Sequence, residues 1–502
     1  MYYFVNENIF TFNSGTEFSA INRQQTFRKN GIESKIITRN YNGRIHADAK
    51  DHGLNDDDFI SMYDFFQGIT GVKREHNKLR YSDIVDKRNY HIVGINNNSS
   101  LIKYHGNTVA KVEIAPGTVG EIGTVIYYDR FGNETSKDVY DSRGFKSKTI
   151  YLHPNGETGH ELLYDINGKP VMEITHMFIN GKVFPTMYKL LNYKGRNLRF
   201  NTEDELFTFF IQELLAEKEG VLINDRPSLI EAVANVQSDC PKYQFLHGPH
   251  TTDVNLGGSK YGKVFDNLRP LFGKFKNYYN GVIVPTAEQQ SELQKFFSNF
   301  KIYNIADFAV DGHKLLDNNQ HNKDNGKNIL YIGRLFEDRH IDHLLKITQL
   351  VKAEFHDVKL HLVGYFGSKD YSDEIKKQIK NMQLEDNVVI DGYQLGDKKA
   401  KLYKDADVVV STGNAEALNI SMLEAFTYKT PFVSYDVKYG PKQFVKNGKT
   451  GYLVPQGKFN DFAACIIKIM QSSDICSENK DYLEAIHDFD FHNFVHQWAQ
   501  II

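Results

Sequence analysis

Two glutamates, Glu416 and Glu424, lie eight positions apart in the segment "NAEALNISMLEA" (residues 414–425). The apolar run "ADVVVST" (406–412) predicts a strand before this segment, and "ISMLEAFTYK" (420–429) predicts a helix that contains its end. Acids in such apolar surroundings need a partner, either a salt bridge or a ligand. Because ionised carboxylates are acceptors, each can hold vicinal hydroxyls. A capping acid and a solvated acid are the structural alternative.

The turn between the predicted strand and helix adds a candidate anion site. Asn419, Ile420 and Ser421 stand at the helix start, where backbone amides and the helix dipole favour negative charge such as a diphosphate. Eight helical residues would span about 12 Å, which matches an extended sugar nucleotide. We therefore expect one glutamate to hold a sugar and the other a ribose, with the phosphates between them.

Two arginines follow another predicted strand. Arg334 comes directly after "ILYIG", and Arg339 lies five residues further on. Guanidinium groups suit phosphate oxygens because their donors form a planar fork. Both side chains are expected near the carboxyl end of the strand, although pairing with a nearby acid explains such arginines equally well.

Two further candidates lie in the N-terminal half. Gly15 occupies the first strand–helix turn, where the absence of a side chain lets the backbone approach a ligand. His247 ends the predicted strand in "FLHGPH" (residues 245–250) and would face the same cleft. A plain turn and a structural histidine remain open alternatives.

Metal-binding patterns are weak in this sequence. "NDDDF" (55–59) is typical of an N-cap and an acidic first turn, and it predicts the start of a helix in "FISMYDFF". Asp405 and Asp407 precede a strand, whereas a metal–diphosphate site requires acids after one. We expect no metal ion and no cofactor.

The composition is that of an ordinary globular protein. Its 63 acidic and 60 basic residues give a net charge of -3 among 502 residues, which disfavours broad nucleic-acid binding. The three cysteines are far apart and indicate neither a disulfide framework nor a metal site. With no signal-peptide pattern and no transmembrane segment, we expect a cytoplasmic protein, with peripheral association at the inner face of the membrane left open.

Strand and helix alternate in the first 81 residues and again in residues 193–312, which predicts one doubly wound domain. Residues 82–192 break this rhythm. Glycines 132, 144, 156, 168 and 181 recur every 12 or 13 residues, in "YDRFG", "YDSRG", "HPNG" and "YDING" among others. Turns at this spacing between β-forming runs predict an inserted antiparallel meander, suited to binding or to a homo-oligomer.

A second α/β series occupies the C-terminal half. The polar segment 311–328 is a linker candidate, and apolar strands such as "KLHLVGYFG" (359–367) follow it. Near-continuous apolar strands are typical of a parallel sheet covered on both faces. We predict a second Rossmann-like domain over 313–485 and a C-terminal helix over 486–502 that packs on the first domain, with ligands in the cleft between the two domains.

Several segments together resemble a known family. "YIGRL", "VIDGY", "GNAEALNISMLEA" and "NGKTGYLVP" are similar to the C-terminal half of retaining family 4 glycosyltransferases, which have the GT-B fold and an E-x7-E motif. The meander, "MYDFFQ", "LHGPH" and "KYGP" resemble the bacterial branch with the wall-teichoic-acid α-GlcNAc transferase and the transferases of serine-rich adhesins. Within it, the pattern is similar to enzymes that add GlcNAc to serine–aspartate repeat proteins.

The resemblance implies roles for matching positions. Glu416 and His247 would be catalytic, contacting the donor sugar or its phosphate, and Glu424 would bind the ribose. Arg334 and Arg339 would hold the diphosphate. The remaining donor-binding positions would be Gly15, Asn419, Ile420 and Ser421. UDP-GlcNAc would be the donor, used without a metal ion.

Two departures from the family pattern stand out. Arg339 occupies a position that is usually lysine, which keeps the charge and changes the geometry. Ala417 and Asn419 replace the usual glycines of the motif. Asparagine tolerates unusual backbone angles better than most residues, so the predicted phosphate site is retained.

The resulting hypothesis is a retaining transferase that moves GlcNAc to serine hydroxyls of an acidic serine–aspartate repeat adhesin. GlcNAc or glucose transfer to a teichoic-acid polyol phosphate is one alternative. A catalytically silent adhesin-binding partner of another transferase is a second. An acidic acceptor favours a basic approach surface, and the candidate residues are Lys73, Arg74, Lys78 and Arg80; a solvated helix face is the alternative.

Overall fold

The protein is described by a computed structural model that covers residues 1–73, 79–251, 263–312, 327–472 and 475–501. These residues form two compact units. The first comprises 1–11, 35–220 and 231–240, and the second comprises 12–34, 221–230 and 241–502. Within the described residues, no helix has the length and hydropathy needed to span a bilayer.

The strands, in chain order, are β1 (Tyr2–Asn6), β2 (Ser34–Thr38), β3 (Phe59–Ser61), β4 (His91–Asn96), β5 (Ser99–Tyr104), β6 (Asn107–Ile114), β7 (Ile122–Tyr128), β8 (Glu134–Tyr140), β9 (Lys146–Leu152), β10 (Thr158–Tyr164), β11 (Pro170–Ile179), β12 (Lys182–Tyr193), β13 (Arg196–Phe200), β14 (Val221–Asn224), β15 (Lys242–Phe245), β16 (Gly281–Val284), β17 (Ile302–Asn304), β18 (Asn328–Ile332), β19 (Lys359–Val363), β20 (Val388–Gly392), β21 (Val408–Ser411), β22 (Phe432–Tyr435) and β23 (Gly451–Val454).

The α-helices are α1 (Gly15–Lys29), α2 (Ile45–Asp51), α3 (Met62–Gln67), α4 (Tyr81–Ile84), α5 (Glu203–Glu217), α6 (Ile230–Ala234), α7 (Arg269–Phe272), α8 (Ala287–Phe296), α9 (Ile341–Lys352), α10 (Lys369–Asn381), α11 (Gly396–Asp405), α12 (Ile420–Thr427), α13 (Gly440–Phe444), α14 (Phe459–Gln471), α15 (Asn479–Ile486) and α16 (Phe491–Trp498).

The first unit contains the predicted meander. Ten strands, β4 to β13, lie side by side in strictly consecutive order and pair antiparallel. Gly132, Gly144, Gly156 and Gly168 each take a positive φ in a turn of the same kind. In each turn, the glycine amide donates to the carbonyl three residues before it, at 2.8–3.1 Å. The recurrent glycines therefore mark equivalent hairpin turns, because a left-handed backbone favours glycine.

The second unit is built on parallel strands. Pairing is parallel from β14 through β15 and β16 to β17. A separate six-stranded sheet has the order β20-β19-β18-β21-β22-β23 and is also parallel. Its core includes the fully buried Leu360, Val408 and Val433, packed against Leu345 of α9 and Phe462 of α14. The order reverses at β18 and β21, so ligands are expected at their carboxyl ends.

The C-terminal helix α16 packs against α1 in the second unit. Trp498 lies edge-on to Phe27, with ring centroids 5.7 Å apart, and the Arg23 guanidinium lies 4.9 Å from the centre of the Trp498 ring. The side chain of Gln497 accepts a hydrogen bond from the Ala306 amide at 2.9 Å. These contacts hold α16 beside the second half of α1 and the segment at Ala306.

Some element predictions need correction. Residues 56–58 form a short 3-10 turn capped by Asn55, but 59–61 form β3, and α3 begins only at Met62. The β-branched and aromatic character of "FIS" and its parallel pairing with β2 favour the strand. The ten strands of the antiparallel sheet lie between residues 91 and 200.

The predicted domain boundaries remain a prediction. The two compact units divide the chain at other positions. Most of the proposed linker, residues 313–326, lies outside the described part of the chain.

A buried ionic network lies in the first unit. The His46 ring nitrogens are 2.7 Å from Asp56 Oδ1 and 2.6 Å from Asp64 Oδ2. Arg143 forms ion pairs with two carboxylates of this network. Its Nη2 atom lies 3.1 Å from Asp64 Oδ2, and its Nε atom lies 2.8 Å from Asp141 Oδ1. Burial alone would lower the pKa of His46, but hydrogen bonds to Asp64 and Asp56 outweigh it and raise the pKa above its usual value.

This network predicts a pH-dependent stability. The charged His46 ring stabilises the fold fully below its ordinary pKa of about 6.5, and this contribution is lost as pH rises through the raised folded value. We expect the thermal midpoint of the wild type to fall between pH 6 and pH 8.5 by more than that of His46→Gln. His91→Gln, at an exposed position, is the matched control. Equal falls in the wild type and H46Q would contradict the assignment.

Candidate active site

A pocket of about 330 Å³ lies within the second unit, inside the roughly 300–1,000 Å³ range of small-molecule sites. Its wall is built from the start of α1, the loops after β14 and β15, the carboxyl ends of β18, β19, β20 and β21, and the start of α12. Nine residues predicted from the sequence line it together: Gly15, His247, Arg334, Arg339, Glu416, Asn419, Ile420, Ser421 and Glu424.

Glu416 forms an ion pair with Arg339 in this pocket. Both side chains are only 17% exposed, and the charge of Glu416 raises the pKa of Arg339 although burial acts in the opposite direction. A Cβ at Gly413 would lie 3.1 Å from the Arg339 guanidinium and 3.3 Å from Glu416 Oε1. The glycine therefore leaves room for this ion pair.

Glu424 is held by two residues of α11. Lys399 Nζ lies 2.6 Å from Glu424 Oε1, and the Tyr403 hydroxyl donates to Oε2 at 2.9 Å. Burial and the Glu424 charge raise the pKa of Tyr403 well above its usual range, so its hydroxyl remains a donor. Each glutamate of the motif thus has a cation of its own, as expected for carboxylates removed from water.

The geometry between the two glutamates differs from the prediction. Only residues 420–427 are helical, so Glu416 lies in the loop before α12, and the two acids are not joined by eight helical residues. Asn419 adopts a left-handed backbone with φ 78°. Its side chain accepts from the Met422 amide at 3.1 Å and caps the helix. Asparagine thus supports here a conformation that favours glycine.

Arg334 lies in the loop after β18. Its guanidinium is 4.8 Å from the centre of the Phe336 ring. Its backbone carbonyl accepts from the Tyr331 hydroxyl at 2.8 Å. No carboxylate of the described residues forms a salt bridge with Arg334, so its charge is available to an anion in the pocket.

Gly15 is the first residue of α1 and faces the pocket. A Cβ at this position would meet only the Ile420 Cδ1 atom within 4 Å, at 3.8 Å, an ordinary contact. Neither the backbone nor a protein neighbour therefore requires glycine here. The absence of a side chain keeps space open between α1 and the start of α12.

His247 has both ring nitrogens directed at carboxylates. Nε2 lies 2.9 Å from Asp225 Oδ1, and Nδ1 lies 3.4 Å from Asp307 Oδ2. Burial lowers its pKa, but these two partners outweigh burial and raise it. Asp225 also pairs with the fully buried Arg23 at 2.6 Å. Both ring nitrogens of His247 are thus engaged by carboxylates, which favour its protonated form, and its predicted contact with a ligand remains a prediction.

Several pocket residues were not identified from the sequence. Lys399, the partner of Glu424, lies 25 positions away in a lysine-rich helix that looks solvated in the sequence. Arg226 forms an ion pair with Glu17 in the first turn of α1. Tyr365 and Tyr393, with ring centroids 6.1 Å apart, form an aromatic wall. Tyr365 lies inside the predicted strand 359–367, so the sequence placed it near a strand end without indicating a role in the pocket.

Two histidines and an aspartate beside the pocket could in principle bind a metal ion, but the histidines are hydrogen-bonded to protein side chains. His340, Asp342 and His343 have ligand atoms within 4.8 Å of one another, but the two imidazole rings are stacked, 4.5 Å apart with 9° between their planes. A metal ion lies in the plane of each imidazole that binds it, so stacked rings cannot share one. His340 instead contacts Asn414 at 2.7 Å, and His343 contacts Tyr435 at 3.0 Å.

The acidic residues that the sequence analysis did not assign to a metal site form hydrogen bonds within the protein. Asp58 accepts from the Asn55 amide at 2.6 Å. Asp407 accepts from the Asn328 amide at 2.8 Å, and the Asp405 carbonyl accepts from the Asn328 side chain. These contacts explain the residues as capping and strand-edge groups.

The proposed acceptor-docking residues are only partly described. Lys73 and Arg80 are exposed, and Arg80 caps the short helix α4. Arg74 and Lys78 lie outside the described residues. Neither Lys73 nor Arg80 is among the described residues that line the pocket.

Comparison with known proteins identifies the class of protein to which this chain is similar. Residues 314–485 match the family model described as glycosyl transferases group 1. The paired parallel α/β sheets and the additional antiparallel sheet also match solved glycosyltransferases of GT-B architecture, which confirms the predicted fold class. The chain carries a group 1 glycosyltransferase domain and is a glycosyltransferase, as predicted.

Two relatives extend over nearly the whole chain. The poly(ribitol-phosphate) alpha-N-acetylglucosaminyltransferase of Staphylococcus aureus (strain COL) is 25% identical over 497 residues, covering 97% of this chain and 96% of the relative. The GtfA subunit of the UDP-N-acetylglucosamine–peptide N-acetylglucosaminyltransferase of Streptococcus pneumoniae serotype 4 is 23% identical over 522 residues, covering 97% and 94%.

A solved structure shows the same fold. The pneumococcal O-GlcNAc transferase GtfA in complex with UDP and GlcNAc superposes with a TM-score of 0.84 at 19% identity, covering 99% of this chain and 97% of that one. The predicted resemblance to the branch that contains both kinds of relative is confirmed.

The space beside Gly15 gives a test of the pocket. Gly15→Ala places a methyl group where protein neighbours accept it, so we expect an unchanged thermal midpoint. The methyl group would occupy ligand space, so UDP affinity measured by calorimetry should fall about tenfold, equivalent to about 1.4 kcal/mol. Gly71→Ala, at an exposed glycine with no neighbour within 4 Å of a Cβ, is the control. Unchanged UDP affinity in G15A would remove Gly15 from the donor site.

Proposed function

We propose that this protein transfers GlcNAc from UDP-GlcNAc, with retention of configuration, to serine hydroxyls of an acidic serine–aspartate repeat protein. The observation that carries the proposal is the pocket, where two half-buried carboxylates and the guanidinium groups of Arg334 and Arg339 line one space. This set provides acceptors for the hydroxyls of a nucleotide sugar and cations for its diphosphate.

Glu424 is the group proposed to hold the ribose. Its oxygens are fixed by Lys399 and Tyr403, which keeps the carboxylate ionised and oriented. A carboxylate oxygen has room for more than one donor, so ribose hydroxyls can bind without displacing either partner. The aromatic rings of Tyr365 and Tyr393 offer an apolar wall in the same pocket for the rest of the nucleoside.

Arg334 and Arg339 are proposed to stabilise the leaving diphosphate. As the bond between the anomeric carbon and the phosphate oxygen breaks, negative charge grows on UDP. Preorganised cations in a site shielded from water stabilise that charge. A guanidinium has five donors, so Arg339 can keep its contact with Glu416 while it binds a phosphate oxygen. We accordingly propose transfer without a metal ion, and activity should persist in excess EDTA.

Glu416 is proposed to bind the hydroxyls of the transferred sugar near the reacting carbon. In a front-face reaction, the acceptor oxygen forms its bond to the anomeric carbon on the side from which UDP leaves. The acceptor proton passes to a phosphate oxygen of UDP. Retention then needs no covalent intermediate on the protein. Both ring nitrogens of His247 are engaged by Asp225 and Asp307, so we propose that this residue contributes positive charge rather than acting as a base.

Glu416→Gln tests this assignment. Glutamine keeps the shape but loses the negative charge that orients Arg339 and binds sugar hydroxyls. We expect UDP affinity within about threefold of wild type and transfer reduced at least about 100-fold, since a contact made chiefly in the transition state changes kcat more than binding. Glu484→Gln, at an exposed position on α15, is the matched control. Unchanged turnover in E416Q would refute the role of Glu416.

Poly(ribitol phosphate) is a second candidate acceptor, favoured by the staphylococcal relative that covers nearly the whole chain. The decisive experiment incubates the protein with UDP-GlcNAc and either a serine–aspartate peptide or poly(ribitol phosphate). Mass spectrometry detects addition of one N-acetylhexosamine, and UDP release is measured in parallel. Modification of the peptide supports the proposal, and modification of the polymer alone replaces it with the second candidate. Absence of both products and of UDP release would favour a silent binding partner.

A further inference from the structure

Beyond the ion pair with Arg339, the backbone of Glu416 is held by a second segment. The Glu416 amide donates to the Lys438 carbonyl at 2.9 Å, and the Tyr439 amide donates to the Glu416 carbonyl at 2.5 Å. A Cβ at Gly440 would lie 1.9 Å from the Leu418 carbonyl oxygen. The backbones of 416–418 and 438–440 are therefore in direct contact, and the position of one determines the position of the other.

Segment 438–440 is itself fixed by a buried acid of α8. Glu292 is 7% exposed, and it forms an ion pair with Lys438 through Oε1. Its Oε2 accepts from the Tyr439 hydroxyl at 2.9 Å. Glu288, one helical turn earlier, lies 3.4 Å from Lys438 Nζ. Both oxygens of one carboxylate are thus used to hold two consecutive residues.

The surroundings of Tyr439 keep it in this arrangement. Its side chain is fully buried, and burial followed by the Glu292 charge raises the pKa of its hydroxyl, which stays protonated and donates. The ring stacks on His250 with centroids 6.1 Å apart. Burial lowers the pKa of His250 to about 4, so near neutral pH its ring is uncharged and does not compete with Lys438 for Glu292.

We propose that Glu292, Lys438 and Tyr439 form a clasp that positions the loop carrying Glu416 for transfer. Glu292 and Lys438 are positioning residues, since they act through the backbone of 438–439 and are not among the described residues that line the pocket. The inference rests on the proposed function for its effect on transfer, but the hold of the clasp on the loop is independent of any substrate. Glu424 is held by other residues, Lys399 and Tyr403 of α11.

Lys438→Met and Lys438→Arg distinguish the clasp from general packing. Methionine keeps the length of the side chain and removes the ion pair, whereas arginine preserves the charge and should rescue. Hydrogen exchange is followed by mass spectrometry in the peptide covering residues 413–419. We expect exchange about tenfold faster in K438M and near wild type in K438R. Lys449→Met breaks an exposed ion pair with Asp481 in the same unit and should leave this peptide unchanged.

The same variants are then assayed for transfer and for UDP binding. We expect kcat about 10- to 100-fold lower in K438M, because a displacement near 1 Å at a reacting group can cost about 100-fold. UDP affinity should stay within about threefold of wild type. If K438M does not fold, Tyr439→Phe removes only the hydroxyl, with its hydrogen bond to Glu292 and its longer contact with His250 Nδ1. It leaves the ion pair between Lys438 and Glu292 in place and should show a smaller change in the same direction.

If hydrogen exchange in the 413–419 peptide is unchanged in K438M, the clasp does not hold this loop, and the proposal is refuted at any level of transfer activity. Faster exchange with wild-type kcat overturns its role in transfer. A wild-type protein that modifies neither acceptor and releases no UDP counts against the proposed function, and the exchange measurement then decides the clasp by itself.

Discussion

The ion pair between Arg339 and Glu416 is the contact on which the pocket depends. Either charge alone would be costly in a place that is only 17% exposed. Together they require the bare backbone of Gly413 beside them and the hydrogen bond from Thr412 Oγ1 to the Arg339 carbonyl, at 2.7 Å. The ends of β18 and β21 are thereby tied together at the point where the sheet order reverses.

Pairing with groups of opposite charge also holds the other glutamate, Glu424, and His247. Glu424 is neutralised by Lys399, and His247 is held between Asp225 and Asp307. Charges paired in this way are oriented by protein groups, which is the preorganisation that the proposed transfer requires. The left-handed backbone at Asn419 sets the start of α12.

Much of this arrangement could be predicted from the sequence, because strand ends and helix starts carry a local signal. Glu416, Glu424 and both arginines were found for that reason, and all four line one pocket. Contacts between distant segments leave no such signal. Lys399 is one of four lysines in α11, and Glu292 is one of two glutamates in α8. Each pairs with a residue far along the chain. The "FIS" run was assigned to a helix because its pairing with β2 is also non-local.

The most direct measurement is a crystal structure of the protein with intact UDP-GlcNAc bound. We predict ribose hydroxyls within hydrogen-bond distance of Glu424, the diphosphate on Arg334 and Arg339, and sugar hydroxyls on Glu416. A reversed ligand, with the sugar at Glu424, or a diphosphate that contacts neither arginine, would contradict the central claim that this pocket is the donor site.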